Sequence, residues 1–415
     1  MSKILAYTSP ALGHLYPLTP VLKELVAGGH EVILRTRADC VEMMRGFDVD
    51  AAAVDQQIEN LELDDWRASN PRKALELSVG LLAERAQYES AELTPLIEET
   101  APDFVLVDSN CFGALAAAEA WGGPWAAFCP FPLPLASRDA PPFGPGLKPA
   151  AGPAGRLRDR MLRPLVARQL GKAMLPPINR VRAANKIEPL TDVDEIFRKP
   201  PLVLSMTSEP FEYRRSDWPA SIVMIGACAW EPPATAPAWL DAIDKPIVLV
   251  TTSSEFQNDG RLIETAFTAL ADEDVEVVAT APAEDIARFS PPANGRVVPF
   301  TPHAPILAKA TCAITHGGMG ATQKALANGV PVCAVPFGRD QMEVARRVEV
   351  SGGGTMLSAR KLSAERLRGA VAEARRKQDG ARRVAAGYEA AGGATAALAA
   401  IESLIEQPAE VRAHV

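Results

Sequence analysis

The sequence predicts an α/β protein made of two tandem halves, each a parallel sheet with helices on both faces. Three observations carry this. Short apolar runs alternate with helix-like segments, the order that builds a helix-covered parallel sheet. Some runs are almost continuously apolar, as in "DFVLVDS" at 103–109, which suits strands buried on both faces. The alternation stops at residues 231–237, "EPPATAP", where three prolines read as a linker, and then restarts.

The elements follow in order. "KILAYTS" is a first strand, bounded by "SPALGH". A helix is expected over 17–27, with Pro17 in its first turn because that position needs no N–H partner. "HEVILRT" and "DFVLVDS" are strands, then come an alanine-rich helix over 112–121 and the strand "PWAAF". Residues 130–153 are rich in proline and glycine and read as a long loop, a kind that is usually functional or disordered. Helical sequence resumes over 157–185, followed by strands in "PPLVLSMTS" and "ASIVMIGA". Beyond the linker, "PIVLVTTSS", "VEVVAT", "RVVPF", "CAITH" and "PVCAVPF" are strands. Helices are expected over 261–271, 321–327, 341–350 and most of 364–406. The expected division is 1–230, 231–390 and a C-terminal segment 391–415 that packs back toward the first half.

Composition narrows the function. The 415 residues are 47% hydrophobic with a net charge of −8, which argues against nucleic-acid binding. A local exception is 156–172, where five arginines and Lys172 face only Asp159. It reads as a solvated helix face or as a membrane or partner contact. The six cysteines show no CxxC spacing and several lie in apolar runs, so reduced, buried thiols in a cytoplasmic protein are expected. His14, His30, His303, His316 and His414 show no metal-ligand spacing. No apolar run reaches transmembrane length.

Polar and glycine-rich stretches fall at strand C-termini: 8–14, 108–110, 251–254, 316–320 and 337–341. That is where open α/β sheets bind ligands, and two such halves put the site in the cleft between them. "CAITHGGMGATQKAL" is strand, glycine turn and helix. Glycines let backbone N–H groups approach a ligand, and a helix start favours an anion such as phosphate. It is neither a Walker loop nor a G-x-G-x-x-G fingerprint. Near the N-terminus, His14 has a pKa suited to a general base, and Asp108 is the carboxylate able to orient it or to cap the following helix.

From 300 to 354, "FTPHAPIL…AITHGGMGATQKALANGVPVCAVPFGRDQMEVARRV" resembles family 1 glycosyltransferases of the GT-B fold, especially actinobacterial macrolide-type natural-product enzymes. The resemblance covers essentially the whole chain. It implies two Rossmann-like domains whose parallel sheets face a central cleft. It also implies an inverting, metal-independent transfer of a hexose from UDP- or dTDP-sugar to a hydroxyl of an apolar small molecule. No resident cofactor is implied, and the assembly would be a monomer or homodimer. His14 would be the base, partnered by Asp108. His316 and the amides around Gly318, Met319, Gly320 and Ala321 would hold the diphosphate, with Thr322 close by. Phe300 falls where the family stacks a Trp on the base, followed by Thr301, with the base edge near His303. Asp340 and Gln341, 24 and 25 residues after His316, would bind sugar hydroxyls. Thr251 and Ser254 would lie near phosphate and sugar, although Ser253 replaces the family's usual glycine. Trp66, Phe112, Phe131 and Phe143 would contact the acceptor.

Lys324 departs from the pattern. Many UDP-sugar enzymes carry there a glutamate that accepts from both ribose hydroxyls, which an ammonium cannot do. Either the ribose contact is weakened, as suits a 2′-deoxynucleotide, or Lys324 points to solvent and UDP is used. Two alternatives stand beside transfer: a nucleotide-sugar 2-epimerase on the same scaffold, and a non-catalytic glycosyltransferase-like partner. The pairs Asp48/Asp50 and Asp192/Asp194 resemble the DxD of metal-dependent enzymes but lack its context.

Overall fold

In the computed structural model, which describes residues 1–407, each half is one parallel sheet sandwiched by helices. The first half runs β1 (Lys3–Tyr7), α1 (Leu12–Ala27), β2 (Glu31–Thr36), α2 (Val41–Arg45), β3 (Asp50–Ala53), α3 (Gln56–Glu59) and α4 (Pro71–Thr100). It continues with β4 (Phe104–Asp108), α5 (Phe112–Trp121), β5 (Trp125–Cys129), α6 (Pro153–Ala184), α7 (Glu195–Arg198), β6 (Leu202–Ser205) and β7 (Ile222–Met224). Its strand order is β3-β2-β1-β4-β5-β6-β7.

The second half runs β8 (Ile247–Thr251), α8 (Arg261–Leu270), β9 (Glu276–Thr280), β10 (Gly295–Val298), α9 (His303–Leu307), β11 (Ala310–Thr315) and α10 (Met319–Ala327). Then come β12 (Val332–Ala334), α11 (Gln341–Val350), β13 (Gly354–Met356), α12 (Ala364–Arg375), α13 (Gln378–Ala390) and α14 (Gly393–Glu406). Its order is β10-β9-β8-β11-β12-β13. Every strand pair in both sheets is parallel.

Central strands are buried on both faces, as their apolar runs require: β4, β5 and β8 have no exposed residue. Each sheet therefore has two cores, one per face. Ile4, Ala6 and Leu34 pack under α1, whereas Leu5, Val105 and Val107 pack under α4 and α5. The loop expected at 130–153 is irregular as far as 152.

Two differences from the sequence reading are informative. α1 begins five residues before Pro17 and contains Pro17 and Pro20. Pro17 and Pro20 each lack the N–H that would bond four residues back, to Gly13 and Tyr16, so α1 forgoes two backbone bonds in its first half. Because α1 starts at Leu12, His14 stands in a helical first turn rather than in a loop. The second is α4, a 30-residue helix that went unassigned although Asn70 caps Lys73 N and Pro71 occupies the first position. Its buried stripe, Val79, Ala86, Leu93 and Ile97, is narrow for its length.

By length and composition, residues 378–406 equal a membrane span, contrary to the sequence reading. Gly392 and Gly393, both at positive φ, divide them into two helices. α13 packs on α10, and α14 returns to the first half against α1, burying Ala397, Ile401 and Leu404. Thr395 donates to Glu24 (2.8 Å), and His30 Nε2 meets Glu402 at 3.2 Å. Residues 408–415, which include His414 and the end of the expected third segment, lie outside the described residues.

Candidate active site

Each sheet reverses its strand order once, between β1 and β4 and between β8 and β11. At such a point the loops leaving neighbouring strands diverge and open a crevice. In the first half Asp108 ends β4 and His14 stands in the first turn of α1; in the second Thr251 ends β8 and His316 follows β11.

Asp108 ends β4 and is fully buried. Its carboxylate accepts from Ser9 N (3.0 Å), Asn110 N (2.9 Å) and His14 Nδ1 (2.7 Å). This leaves the Nε2 lone pair of His14 directed at the Nδ2 of Asn110, 3.4 Å away. Burial disfavours the imidazolium, but the charge and hydrogen bond of Asp108 outweigh it, with help from Glu255 and Asp340. The pKa of His14 is raised as a result. Conversely, burial raises the carboxyl pKa of Asp340, and His14 opposes that rise. Asp340 belongs to the second half and His14 to the first, so this pair spans the cleft. Phe131, half-buried, lies with its ring 6.1 Å from that of His14.

The second cluster is built from backbone. Gly317 has φ +87°, a region that L side chains rarely adopt. A Cβ on Gly318 would lie 2.2 Å from Nε2 of His316, so the ring folds over a residue that must lack a side chain. A Cβ on Gly320 would meet nothing within 4 Å, so the approach to the helix start is open there. The first backbone bond of α10 runs from Thr322 N to Gly318 O, which leaves the N–H groups of Met319, Gly320 and Ala321 free. His316 is buried with Nδ1 lacking a hydrogen-bond partner, and burial depresses its pKa, keeping the ring neutral. The hydroxyls of Thr251 and Thr301 are also buried without partners. Each such group costs about 1–3 kcal/mol unless a ligand or a water satisfies it.

Phe300 presents an exposed ring, 55% accessible, three residues before α9. Beside it the linker residue Glu231 accepts from His303 N (3.1 Å) and Ala304 N (2.8 Å) and pairs with Lys324 Nζ at 3.2 Å. The expectation that Lys324 points to solvent does not describe this arrangement: the lysine is bound to a carboxylate from the linker. The N–H of His303 is also already taken. Burial, then Lys324, pulls the His303 imidazole down to about 4, so it is neutral, and its Nε2 lies 3.1 Å from Thr280 Oγ1.

Three further expectations need correction. The Gln341 side chain is buried, its Oε1 accepting from Phe337 N and Gly338 N and its Nε2 donating to Gln257 (2.7 Å). It braces its own turn instead of offering its amide to a sugar. The Thr322 hydroxyl is fully buried 3.1 Å from that of Thr315, between strand and helix. Phe112 sits in the core beneath α4 and α5 because it starts α5 on its inner face, and so cannot line the cleft. Ser254 is exposed at its loop, whereas Ser253, the departure from glycine, is buried and accepts from Gln257 Nε2 (2.7 Å).

Sequence reasoning missed Arg339, Asp65, Glu255, Phe256 and Glu343, which join the halves. Arg339, held at φ +50° beside Asp340, makes a two-point contact with Asp65 (2.9 and 3.0 Å) and a third with Glu255 (2.8 Å). Trp66, next to Asp65, packs edge-on against Phe256 at 5.0 Å across the cleft. Glu343 of α11 accepts from Gly144 N and Gly146 N (2.8 and 2.9 Å), tying down the loop that carries half-buried Phe143. A cavity of about 830 Å³ between α4, α5 and α6, lined by Trp121 and Arg180, contains none of these residues.

The architecture and the chain both have relatives. Residues 264–400 match the erythromycin biosynthesis protein CIII-like C-terminal domain family. The 4′-demethylrebeccamycin synthase of Lentzea aerocolonigenes is 32% identical over 397 residues, covering 89% of this chain and 91% of that protein. UDP-glycosyltransferase 2 of Phaeomoniella chlamydospora is 31% identical over 260 residues, 58% of this chain and 56% of that one. Among solved structures, a calicheamicin glycosyltransferase superposes with TM-score 0.74 at 20% identity, over 98% of this chain and 99% of that one. The glycosyltransferase VinC, solved with dTDP, gives 0.69 at 22% identity, over 98% of this chain and 100% of that one. With two parallel α/β halves and a relative that similar along nearly its full length, the chain belongs to the natural-product glycosyltransferases of the GT-B fold.

Proposed function

We propose that this glycosyltransferase moves a hexose from a nucleoside-diphosphate sugar to a hydroxyl of an apolar small molecule, with inversion and without a metal. The observation that carries the reading is the opposition of the two strand-reversal sites. His14, oriented by Asp108, is near enough to Asp340 of the other half for the charge of each to act on the other. The Nε2 of His14 takes the acceptor proton while the acceptor oxygen attacks the anomeric carbon. The bond from that carbon to the diphosphate oxygen breaks on the opposite face. Asp108 stabilises the imidazolium that forms. The charge released on the diphosphate meets the free N–H groups at Met319, Gly320 and Ala321, with His316 and Thr251 beside them. Asp340 is the group available to sugar hydroxyls, and Ser254 lies on the same side. Phe300 stacks on the base, with Thr301 and His303 at its edge, and Trp66, Phe131 and Phe143 border the acceptor.

We infer further that the donor nucleoside is a deoxynucleoside. Lys324 cannot accept from ribose hydroxyls, and the nearby Glu231 is already engaged by Lys324 and two backbone groups. Calorimetric titration with UDP and with dTDP, without added metal, tests this. Tighter dTDP binding is expected; tighter UDP binding removes the deoxynucleoside reading, and binding of neither removes the donor site. Product formed only when an acceptor alcohol accompanies the donor separates transfer from epimerisation.

A further inference from the structure

The first five turns of α6 display a face that the active site does not explain. Leu157, Met161 and Leu165 are 59%, 64% and 62% exposed and stand at four-residue spacing, one above the other. They are three of the eight large apolar side chains exposed among the described residues. Alongside runs a second row, Arg156, Arg160, Pro164, Arg168 and Lys172, all exposed. The acid in this stretch, Asp159, is buried and paired with Arg158 at 2.7 Å. A solvated helix face would not hold three large apolar groups in register. The row of cations is also out of keeping with a chain whose net charge is −8.

We propose that this face docks on an anionic lipid surface. An apolar ridge beside a cationic row is the pattern of a helix lying in a bilayer interface, the ridge among the acyl chains and the cations at the headgroups. Charge decides against a second copy of the chain: a two-fold axis through the ridge sets the cationic rows against each other. The helix is also fastened to the cleft. Arg163 donates to the carbonyls of Arg138 (2.9 Å) and Ala140 (3.2 Å), and Arg158 to that of Lys148 (2.6 Å). These carbonyls belong to the loop that Glu343 holds through Gly144 and Gly146. A bilayer under α6 therefore lies against the loop on the acceptor side, where an apolar substrate dissolved in lipid would enter.

Co-sedimentation of the full chain with phosphatidylcholine vesicles, with and without phosphatidylglycerol, tests the proposal. Binding is expected only to the anionic vesicles and weakens as salt is raised. Each of Arg156→Gln, Arg160→Gln, Arg168→Gln and Lys172→Gln lowers the partition coefficient by roughly fivefold. Leu157→Ser/Met161→Ser/Leu165→Ser abolishes binding, while dTDP affinity, measured on the same preparation, stays unchanged and reports an intact fold. Met161→Asp alone serves if the triple variant is unstable. The proposal is overturned by no sedimentation with anionic vesicles, by equal sedimentation with neutral ones, or by binding that survives loss of the ridge. A ridge-dependent dimer in light scattering overturns it as well, because the ridge is then a contact between copies.

Discussion

His14 and Asp108 carry the proposed chemistry, and their electrostatics give it a pH signature. The base must be neutral to accept a proton, and its pKa in the folded protein is raised above 6.5. kcat/KM is therefore expected to climb with pH through that raised value. Asp108→Asn removes the charge that raises it, so the limb moves to lower pH while the rate falls by roughly 10²–10⁴-fold. A profile whose limb stays in place assigns the titration to another group. His14→Ala is expected to remove transfer and leave dTDP affinity within about twofold, since the diphosphate is held by the other half. Asp108 and His316 were legible because each stands at the end of an apolar run, where ligand groups cluster, and His14 because it closes the polar stretch that follows β1. Glu231 was not. It opens a proline-rich linker, and nothing local shows that its carboxylate folds back onto His303, Ala304 and Lys324.

Among elements, strands were read most easily and α4 least. A doubly buried strand announces itself by continuous apolar residues. α4 has only a narrow stripe over 30 residues, so its periodicity is weak, and the Asn70–Pro71 start was the available signal. Its contact with α5 is close. A Cβ on Gly113 would lie 1.9 Å from the carbonyl oxygen of Ala86. Gly113→Ala is therefore expected to push the helices apart and destabilise the fold by about 1–3 kcal/mol, read from urea unfolding. An unchanged midpoint would mean that the helices separate without cost. Gly113 also donates its N–H to the buried Glu89 (2.8 Å), so the same shift exposes a carboxyl that burial has pushed up to about 8.

Across the whole molecule the halves are joined by ion pairs as well as by α14. Arg347 is fully buried and bonds Glu212 of the first half at 2.9 and 3.0 Å and Glu343 at 2.9 Å. Burial opposes ionisation of Glu212, but Arg347 and Arg215 outweigh it and its pKa is lowered below 4.5. Its stabilisation is thus present above about pH 4.5 and is lost as pH falls through the depressed value. Arg347→Met removes the cation that Glu212 and Glu343 share, leaving Glu212 with Arg215 alone (3.1 Å), and is expected to destabilise the protein by about 3–5 kcal/mol at neutral pH. The deficit against wild type should narrow in acid, where Glu212 protonates. A constant deficit from neutral pH to acid would show that the loss is one of packing alone. Because Glu343 also holds Gly144 and Gly146, the variant should raise KM for the acceptor.

By itself the sequence determined the class of fold, most of its strands and the strand-end positions of Asp108, Thr251 and His316. Those features depend on near-neighbour patterns, since burial on two faces, helix starts and glycine turns are each set by a few consecutive residues. Tertiary structure alone decided what faces what. Gln341 and Thr322 turn inward because neighbouring backbone and hydroxyl groups satisfy them there. Phe112 is buried because α4 covers it. Lys324 is neutralised by a carboxylate 93 residues away, and Arg339 grips Asp65 at a separation of 274. Pairings over such distances follow from how two sheets are set against each other, and no local pattern of residues encodes that placement.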